Sequence, residues 1–449
     1  MSVLVIGGGI SGLACAYRLK QRGINVRLLE KQDRVGGVVQ SEELAGFHFD
    51  LGPQSFLSSA AILRLIAELG LGSAMVQANP RAPRFIYFNG ALHSAPMSPP
   101  ALLKTPLLSG RTKRRILIEP LRKSRPPVGD ESVSAFARRK FGNDLLDNLL
   151  GPFVSGVYAG DPERLSFRSA FPSAHQWELE HGSVIRGAMK SRPEKGKPRP
   201  ALTSFGGGLQ TLMHSLAAAL AGRIETDVEV CGLRRIAGSE FAVHARDREG
   251  NLKESEVATV VLAAPSYVSA RLLGEVSPAA AEALRRIEYA PVAVVNLGYR
   301  REQVAHPLEG FGFLAPRTQG LRILGTIWNS SLFPGRAPQR MVSLTSFLGG
   351  ATDPAVLDLS DDAIAQIAAA GNARVLGITG APVVHRLNRF TYAIPQYNLG
   401  HGDILARLRS ELTSLPSLFL AGNFLHGPSI PTCVETAFAT ADEICKTLG

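Results

Sequence analysis

The chain has 449 residues, 45% of them hydrophobic, with a formal net charge of +11 and an isoelectric point near 9.7. That length calls for two or three cores rather than one, and that apolar content excludes a disordered chain. No apolar run reaches the roughly 18 to 20 residues a spanning helix needs, and Cys15, Cys231, Cys433 and Cys445 form no C-x-x-C pair, which argues against a structural zinc or iron–sulfur site and suits a reducing compartment.

An apolar β-branched run, Val3 to Ile6, predicts a strand; Gly7, Gly8, Gly9 and Gly12 follow, then a helix to about Arg22. A second strand, Asn25 to Leu29, ends on Glu30, eighteen residues after Gly12. Strand, tight turn and helix in that order place unpaired N–H groups and the positive helix end under a pyrophosphate. Gly7 permits the turn, Gly9 keeps side chains away from the phosphate, and Gly12 lets the helix lie close to the strand. Glu30 stands where a carboxylate accepts from a ribose. The N-terminal stretch carries no basic leader and runs straight into the turn, so a cytoplasmic location is expected.

Two more glycine turns follow, "KQDRVGG" with Arg34, Gly36 and Gly37, and "DLGPQSF" with Gly52 and Pro53. Three such turns within 55 residues exceed what NAD requires and point to a larger cofactor lying lengthwise across the strand ends. A helix is predicted from about Ser59 to Leu69, a hairpin around Asn89-Gly90, and helices over Ser132 to Phe141 and Asn143 to Leu150. "RPEKGKPRP", 192–200, reads as a surface loop.

"FGGGLQTLMHSLAAAL" is a further glycine turn entering a helix; "RIETDVEV" reads as a strand, followed by a hairpin and a buried strand ending at Ala263 to Pro265. Strand-like runs recur at Val292 to Tyr299, Phe311 to Leu314, Ile323 to Trp328 and Met341 to Phe347, with one helix near Asp361 to Gly371. A last strand, Leu418 to Ala421, turns through Gly422 and Asn423 into a helix from about Thr432. The fold expected is α/β, a Rossmann-type sheet completed by the C-terminus and enclosing an inserted α+β substrate domain and a helical subdomain.

Between Arg81 and Arg125 stand ten basic residues (Arg81, Arg84, Lys104, Arg111, Lys113, Arg114, Arg115, Arg122, Lys123, Arg125) against one acid, Glu119, interleaved with Leu and Ile. Two readings are open: a solvated surface, or an anionic membrane face where charge attracts and apolar groups insert. No zinc finger, RNA-binding aromatic signature or helix-turn-helix pattern supports nucleic acid.

"GGGISGL", "EKQDRVGG", "DLGPQSF", "AIPQYNLGH" and "LFLAGNFLHGPSIPTCVE" together resemble the FAD-dependent porphyrinogen oxidases, the protoporphyrinogen and coproporphyrinogen oxidases of the monoamine-oxidase-like flavoprotein superfamily. The first two are shared by the whole superfamily; "DLGPQSF" and "IPQYNLGH" carry the narrower likeness, which runs over nearly the whole chain. The resemblance implies noncovalent FAD, since no cysteine precedes "IPQY". Gly7, Gly8, Gly9, Ile10, Ser11 and Gly12 would hold the pyrophosphate, Glu30 and Lys31 the adenosine ribose, and Val228, in the returning strand, the adenine. Val38, Gly52, Pro53, Gln54, Ser55 and Phe390 would meet the flavin end, and Asn423, Pro428, Ser429 and Ile430 would close on the isoalloxazine, with the last helix pointing its N-terminus at the flavin N1–C2=O edge. Pro428 and Pro431 depart from the family pattern and offer no backbone N–H there. The FAD-binding domain would take 1–75 with 205–265 and 415–449, the helical subdomain 80–200, and the substrate domain 266–414 with 76–95.

By the same resemblance the substrate is a porphyrinogen, oxidised by three two-electron hydride transfers with O2 as acceptor in haem biosynthesis. The cofactor carries the chemistry, so no catalytic residue and no metal are expected; His385, His401, Asp227, Glu225 and Glu435 are read as structural. Arg84 would anchor a propionate, unless it is one more surface arginine; Leu314 and Phe347 would sandwich the ring, unless they are ordinary strand core; and the Gly156 backbone would lie beside it. Protoporphyrinogen or coproporphyrinogen, O2 or a quinone, and a second copy of the chain as partner all stay open. The competing readings are a flavin amine oxidase or desaturase, and a membrane scaffold without turnover.

Overall fold

The computed structural model describes residues 2–122, 124–191, 201–236 and 240–448. Lys123 and the expected loop 192–200 lie outside the described residues. A parallel five-stranded sheet runs in the order Ile224–Glu225, Asn25–Leu29, Ser2–Ile6, Thr259–Leu262, Leu418–Leu420. Four of these strands are nearly all apolar on both faces, as a parallel sheet covered on both sides must be. One face packs against the helices Ile10–Gln21, Gln210–Ala219 and Ile430–Thr447 through residues such as Leu13, Leu216 and Val434. The other packs against the antiparallel strands Glu229–Arg235, Phe241–Arg246 and Leu252–Val257 and against Ser266–Leu272, Pro278–Arg285 and His401–Leu412. The boundaries expected at 265 and 415 therefore fall inside this packing: Leu273, Leu284 and Leu408 belong to the same core as Val260 and Leu420.

A second sheet has seven strands in the order Val384–Pro395, Tyr289–Arg300, Met341–Gly349, Ile323–Ile327, Gly312–Leu314, Arg84–Phe88, Ala91–Ser94. One of its faces is covered by the helix Asp361–Leu376, whose Ile364 and Ala368 pack on Val295, Leu297 and Phe313. The opposite face is covered at two ends. Helical segments within Pro99–Lys190 cover it beside Ile86 and Leu314 through Leu107 and Leu108. The five-stranded unit covers it beside Asn296 and Asn388, whose amides donate to Asp50 O at 3.1 Å and Leu51 O at 3.4 Å.

Several expected elements differ from those found, each for a local reason. "RIETDVEV" is broken: Asp227 has φ of +57°, so the strand restarts at Glu229, and Val228 lies before it with its N–H donating to Glu30 O at 2.9 Å. The helix expected to stop at Leu150 continues to Tyr158 through a π turn, Leu146–Leu150. Gly151 donates back to Leu146, so Pro152 enters where the regular ladder is already interrupted and its missing N–H costs little. The C-terminal helix starts at Ile430, two residues early, with Ser429 Oγ accepting from Thr432 N at 3.2 Å and Pro431 in the first turn, where no N–H is required.

A buried ion pair clamps the strand Phe47–Asp50, which pairs with Ser41–Leu44 in a separate two-stranded ladder, to the loop that precedes Met341–Gly349. Arg336 Nη2 lies 2.8 Å from Asp50 Oδ2, both 2% exposed. Asp50 Oδ1 also accepts from Ser41 Oγ at 2.6 Å and Leu209 N at 2.9 Å, and Arg336 donates to Ser204 Oγ at 2.7 Å. Removing one partner strands the other charge. Arg336→Leu is expected to lower unfolding free energy by about 3–5 kcal/mol in denaturant titration, with Asp50→Asn in the same chain restoring part of it.

Candidate functional site

The first glycine turn separates packing from binding. A Cβ on Gly12 would stand 1.9 Å from Gly7 O, and one on Gly7, where φ is +111°, 2.9 Å from the Ala263 backbone. These two glycines are required by the protein itself. A Cβ on Gly9 would meet no atom within 4 Å, and its backbone is extended, so nothing in the fold demands glycine there. Open space at that one position, above the N-terminus of Ile10–Gln21, is the cradle a pyrophosphate requires. Ser11 is buried in the first turn of that helix, beside the Cys433 thiol of the last helix.

Glu30 is 8% exposed, with Oε2 accepting from Gly8 N at 2.6 Å and Oε1 from Gln32 N at 2.9 Å. It locks the glycine turn to the end of the second strand, beside exposed Lys31 and Val228. The second turn lies on the first: Gly36 N donates to Gly8 O at 2.8 Å, and a Cβ on Gly37 would be 3.5 Å from Gly9 Cα. From there the line reaches Val38, which is 43% exposed although apolar, and Gly52, whose Cβ would stand 2.1 Å from Val38 O and 3.8 Å from Phe390 Cζ.

Pro53 and Ser55 are half-buried on either side of Gln54. The Gln54 side chain is turned into the protein: its Nε2 donates to Asp50 O and Gly52 O at 2.7 and 2.8 Å, and its Oε1 accepts from Asn329 Nδ2 at 2.9 Å and Thr345 Oγ1 at 3.1 Å. Gln54 therefore shapes the turn, and only its backbone is left to meet a cofactor. Asn423 opens the short helix Asn423–His426; Pro428 and exposed Ser429 lead to buried Ile430 at the head of the last helix.

The substrate candidates meet on the seven-stranded sheet. Leu314 is paired with Gly325, and Gly325 with Phe347, so the three occupy one row across three strands, with side chains on one face. Gly325, between a half-buried leucine and a half-buried phenylalanine, is covered by its neighbours: a Cβ there would stand 2.5 Å from Phe313 O and 3.0 Å from Leu314 Cδ2, so glycine lets the Leu314 side chain lie against the sheet. Arg84 is paired with Gly312, two residues from Leu314, and so shares that face; its guanidinium lies 5.5 Å from the Phe311 ring, exposed and without an ion pair among the described residues. Gly156 lies against Leu314 itself: a Cβ there would stand 2.4 Å from Leu314 Cδ2. Its backbone carries Leu314 at the cleft wall, flanked by Phe153 and Val157, which are 42% and 43% exposed.

Gly325, Phe153 and Val157 escape a reading of the sequence, although an isolated glycine inside an apolar strand, as in "RILGTIW", is a sign of close approach. His385 is exposed on its strand and His401 is 2% exposed. A cleft of about 620 Å³ lined by Ser2, Asn25, Arg27 and Arg223 opens at the opposite, N-terminal ends of the parallel strands, away from the glycine turns.

The profile of flavin-containing amine oxidoreductases matches residues 10–445. The chain belongs to this family. Protoporphyrinogen oxidase 1 of Spinacia oleracea chloroplasts is 34% identical over 478 residues, covering 100% of this chain and 85% of that protein. The coproporphyrinogen III oxidase of Bacillus subtilis is 30% identical, covering 98% of this chain and 97% of its own. A crystal structure from Exiguobacterium sp. 255-15 superposes with a TM-score of 0.84 at 26% identity, covering 99% and 98%. The flavin oxidoreductase gathers its glycine turns, Val38, Gly52 and Phe390 along one line ending at the Leu314–Gly325–Phe347 row.

Gly9→Ala is expected to leave the thermal midpoint of the flavin-free protein within about 2 °C while weakening flavin retention at least tenfold; Gly12→Ala should destabilise the fold itself by about 1–3 kcal/mol through the clash with Gly7 O. Differential scanning with flavin titration separates the two. A second test uses pH. Burial holds the His401 imidazole below its usual range, so the native state binds fewer protons than the unfolded chain once pH falls below about 6.5. The stability His401 contributes is present above that value and is lost on acidification. His401→Gln should therefore flatten the decline of the thermal midpoint between about pH 6.5 and 5.

Proposed function

We propose that the chain oxidises protoporphyrinogen IX to protoporphyrin IX in haem biosynthesis, with noncovalently bound FAD and O2 as acceptor. The observation that carries this reading is the Leu314–Gly325–Phe347 row with Arg84 on the same face: an apolar shelf beside one unpaired cation suits a flat macrocycle bearing a carboxylate. The full-length likeness to protoporphyrinogen oxidases supports it. FAD, rather than a shorter flavin, suits the length of the line from Glu30 and Val228 to Gly52 and Asn423. Noncovalent attachment suits the cysteines: Cys433 is buried beside Ser11, and burial pushes its thiol up to about 11, leaving little thiolate for attack.

FAD when bound accepts hydride from a methylene bridge and passes both electrons to O2, giving hydrogen peroxide, in each of three rounds. The chain binds and orients. Arg84 takes a propionate through a charge-assisted pair, Leu314 and Phe347 press on the ring and keep water off, and Gly325 lets the Leu314 side chain lie flat against the sheet. The pyrrole nitrogens stabilise the cation left by hydride loss, so no strong protein base is required.

Fluorescence assays with anaerobically prepared protoporphyrinogen should show porphyrin forming well above autoxidation, and acid precipitation should leave FAD in the supernatant; a protein without acceleration would overturn the reading. Arg84→Ala should raise KM about tenfold with kcat little changed. Coproporphyrinogen III is the second substrate, favoured by the Bacillus relative, and the ratio of kcat/KM on the two decides.

We also propose that the basic segment rests on an anionic membrane at the cytoplasmic face. Its one acid, Glu119, is 3% exposed, accepting from Val184 N at 3.0 Å and lying 3.3 Å from Lys140 Nζ. The surface is left to Lys104, Arg111, Arg114, Arg122 and Arg125, none ion-paired among the described residues, beside exposed Leu103, Leu117 and Leu121. No described helix is long and apolar enough to cross a membrane. Sedimentation with phosphatidylglycerol vesicles should carry the protein down, and phosphatidylcholine vesicles should not; Leu117→Gln with Leu121→Gln should reduce the bound fraction severalfold.

A further inference from the structure

The "IPQYNLGH" segment, Ile394 to His401, touches three parts of the molecule, and the function proposed above uses none of its side chains. Gln396 Nε2 donates to Tyr158 O at 2.9 Å, the Tyr397 carbonyl accepts from Ser166 N at 2.8 Å, Leu399 N donates to Arg164 O at 2.9 Å and Gly400 N to Asp130 Oδ2 at 3.0 Å. These contacts fix the segment to the helical part. The Tyr397 ring is buried in the core of the helical part, 6.0 Å from the Tyr158 ring, and its hydroxyl reaches out to the short helix Asn423–His426. Tyr397, 1% exposed, donates its hydroxyl to Asn423 O. The His401 ring stands at 4.9 Å and 75° to the Tyr397 ring and faces the Leu425 and Phe424 carbonyls without a full hydrogen bond.

A helix of one turn leaves its carbonyls unpaired, and in a buried position they need donors from outside. Tyr397 offers a donor to the carbonyl of residue 423, and the His401 ring, with neither nitrogen hydrogen-bonded, packs edge-on against the Tyr397 ring and holds it in place. Burial drives the Tyr397 phenol well above its usual range, so its O–H remains a donor at any working pH.

We infer that Tyr397 and His401 are positioning residues for the flavin: they latch the 423–426 turn so that its backbone donors and the last helix stand against the isoalloxazine, and they tie that alignment to the helical part through Asp130 and Ser166. The inference rests on the FAD reading above. It assigns to "IPQYNLGH" a task in setting the affinity for reduced flavin rather than in touching substrate.

The test is the two-electron midpoint potential of FAD bound to the full chain, with FAD dissociation constants. Tyr397→Phe keeps the ring and removes one donor. It should lower the midpoint by about 30 mV, the equivalent of a tenfold weaker hold on reduced over oxidised flavin, and lower kcat with KM unchanged. His401→Ala, which removes the ring packed on Tyr397, should shift the midpoint the same way, and His401→Phe, which restores a ring, should recover most of it. If Tyr397→Phe does not fold, the His401 pair carries the test. Midpoints and dissociation constants equal to wild type in the folded variants overturn the latch while the FAD reading stands. A wild-type chain that takes up no FAD overturns both.

Discussion

The placement of the Ser41–Asp50 hairpin and the Gly52 turn against the seven-stranded sheet rests on one buried polar seam. Asp50 and Arg336 form its charged part; Gln54, Asn329, Thr345 and Asn296 form its neutral part, with Thr345 Oγ1 bonded between Gln54 and Asn296. Such a seam adds little net stability, because desolvation offsets most of the attraction. What it adds is register: a hydrophobic contact can slide by a side chain's width, whereas a carboxylate matched to a guanidinium and two amides matched to a hydroxyl cannot. Gly52 O accepts from Gln54, whose Oε1 accepts from Thr345, so the seam carries the Gly52 turn to the Met341–Gly349 strand of the seven-stranded sheet. On the function proposed above, a substrate shelf on that sheet is useful only if it stands at a fixed distance from the turn.

The parts of this arrangement legible in the sequence are those that depend on backbone freedom. Gly7 and Gly12 are where they are because a Cβ would strike Ala263 or Gly7 itself, and a strand–turn–helix pattern announces that need locally. Glu30 is legible for the same reason, at the end of its strand. The parts that are not legible depend on what lies across the fold. Gln54 was grouped with the cofactor contacts because of its place in "DLGPQSF", yet its amide is consumed by residues 275 and 291 positions away. Gly325 acquires its role only when two other strands place Leu314 and Phe347 on either side. The helix past Leu150 is hidden by Gly151-Pro152, a pair that ends helices unless a π turn has already displaced the ladder.

Charge tells a related story. A count finds ten cations and one anion between Arg81 and Arg125 and implies a surface softened by Glu119. In the fold Glu119 is withdrawn, together with Lys140 and Glu178, into an ion cluster joining four helical segments, where Arg139 and Lys140 lie 2.8 and 2.7 Å from Glu178. The acid stabilises the helical part from within and leaves the cations outside unopposed. The same residue thus raises the field of the surface by its absence from it.

The motif that separates this chain from the wider superfamily can be understood in the same terms. "IPQYNLGH" is neither a glycine turn nor a cluster of titrating groups, and as a string it has no chemistry to announce. Its residues reach three ways: Gln396, Gly400 and the Tyr397 ring to the helical part, the Ile394 backbone to the antiparallel sheet, where it pairs with Ala290, and the Tyr397 hydroxyl to the turn before the last helix. A segment at such a joint is constrained at nearly every position, since a change that suits one neighbour disturbs another. A sequence signature can therefore mark a reaction without touching the reactants, provided that the reaction depends on how three surfaces meet.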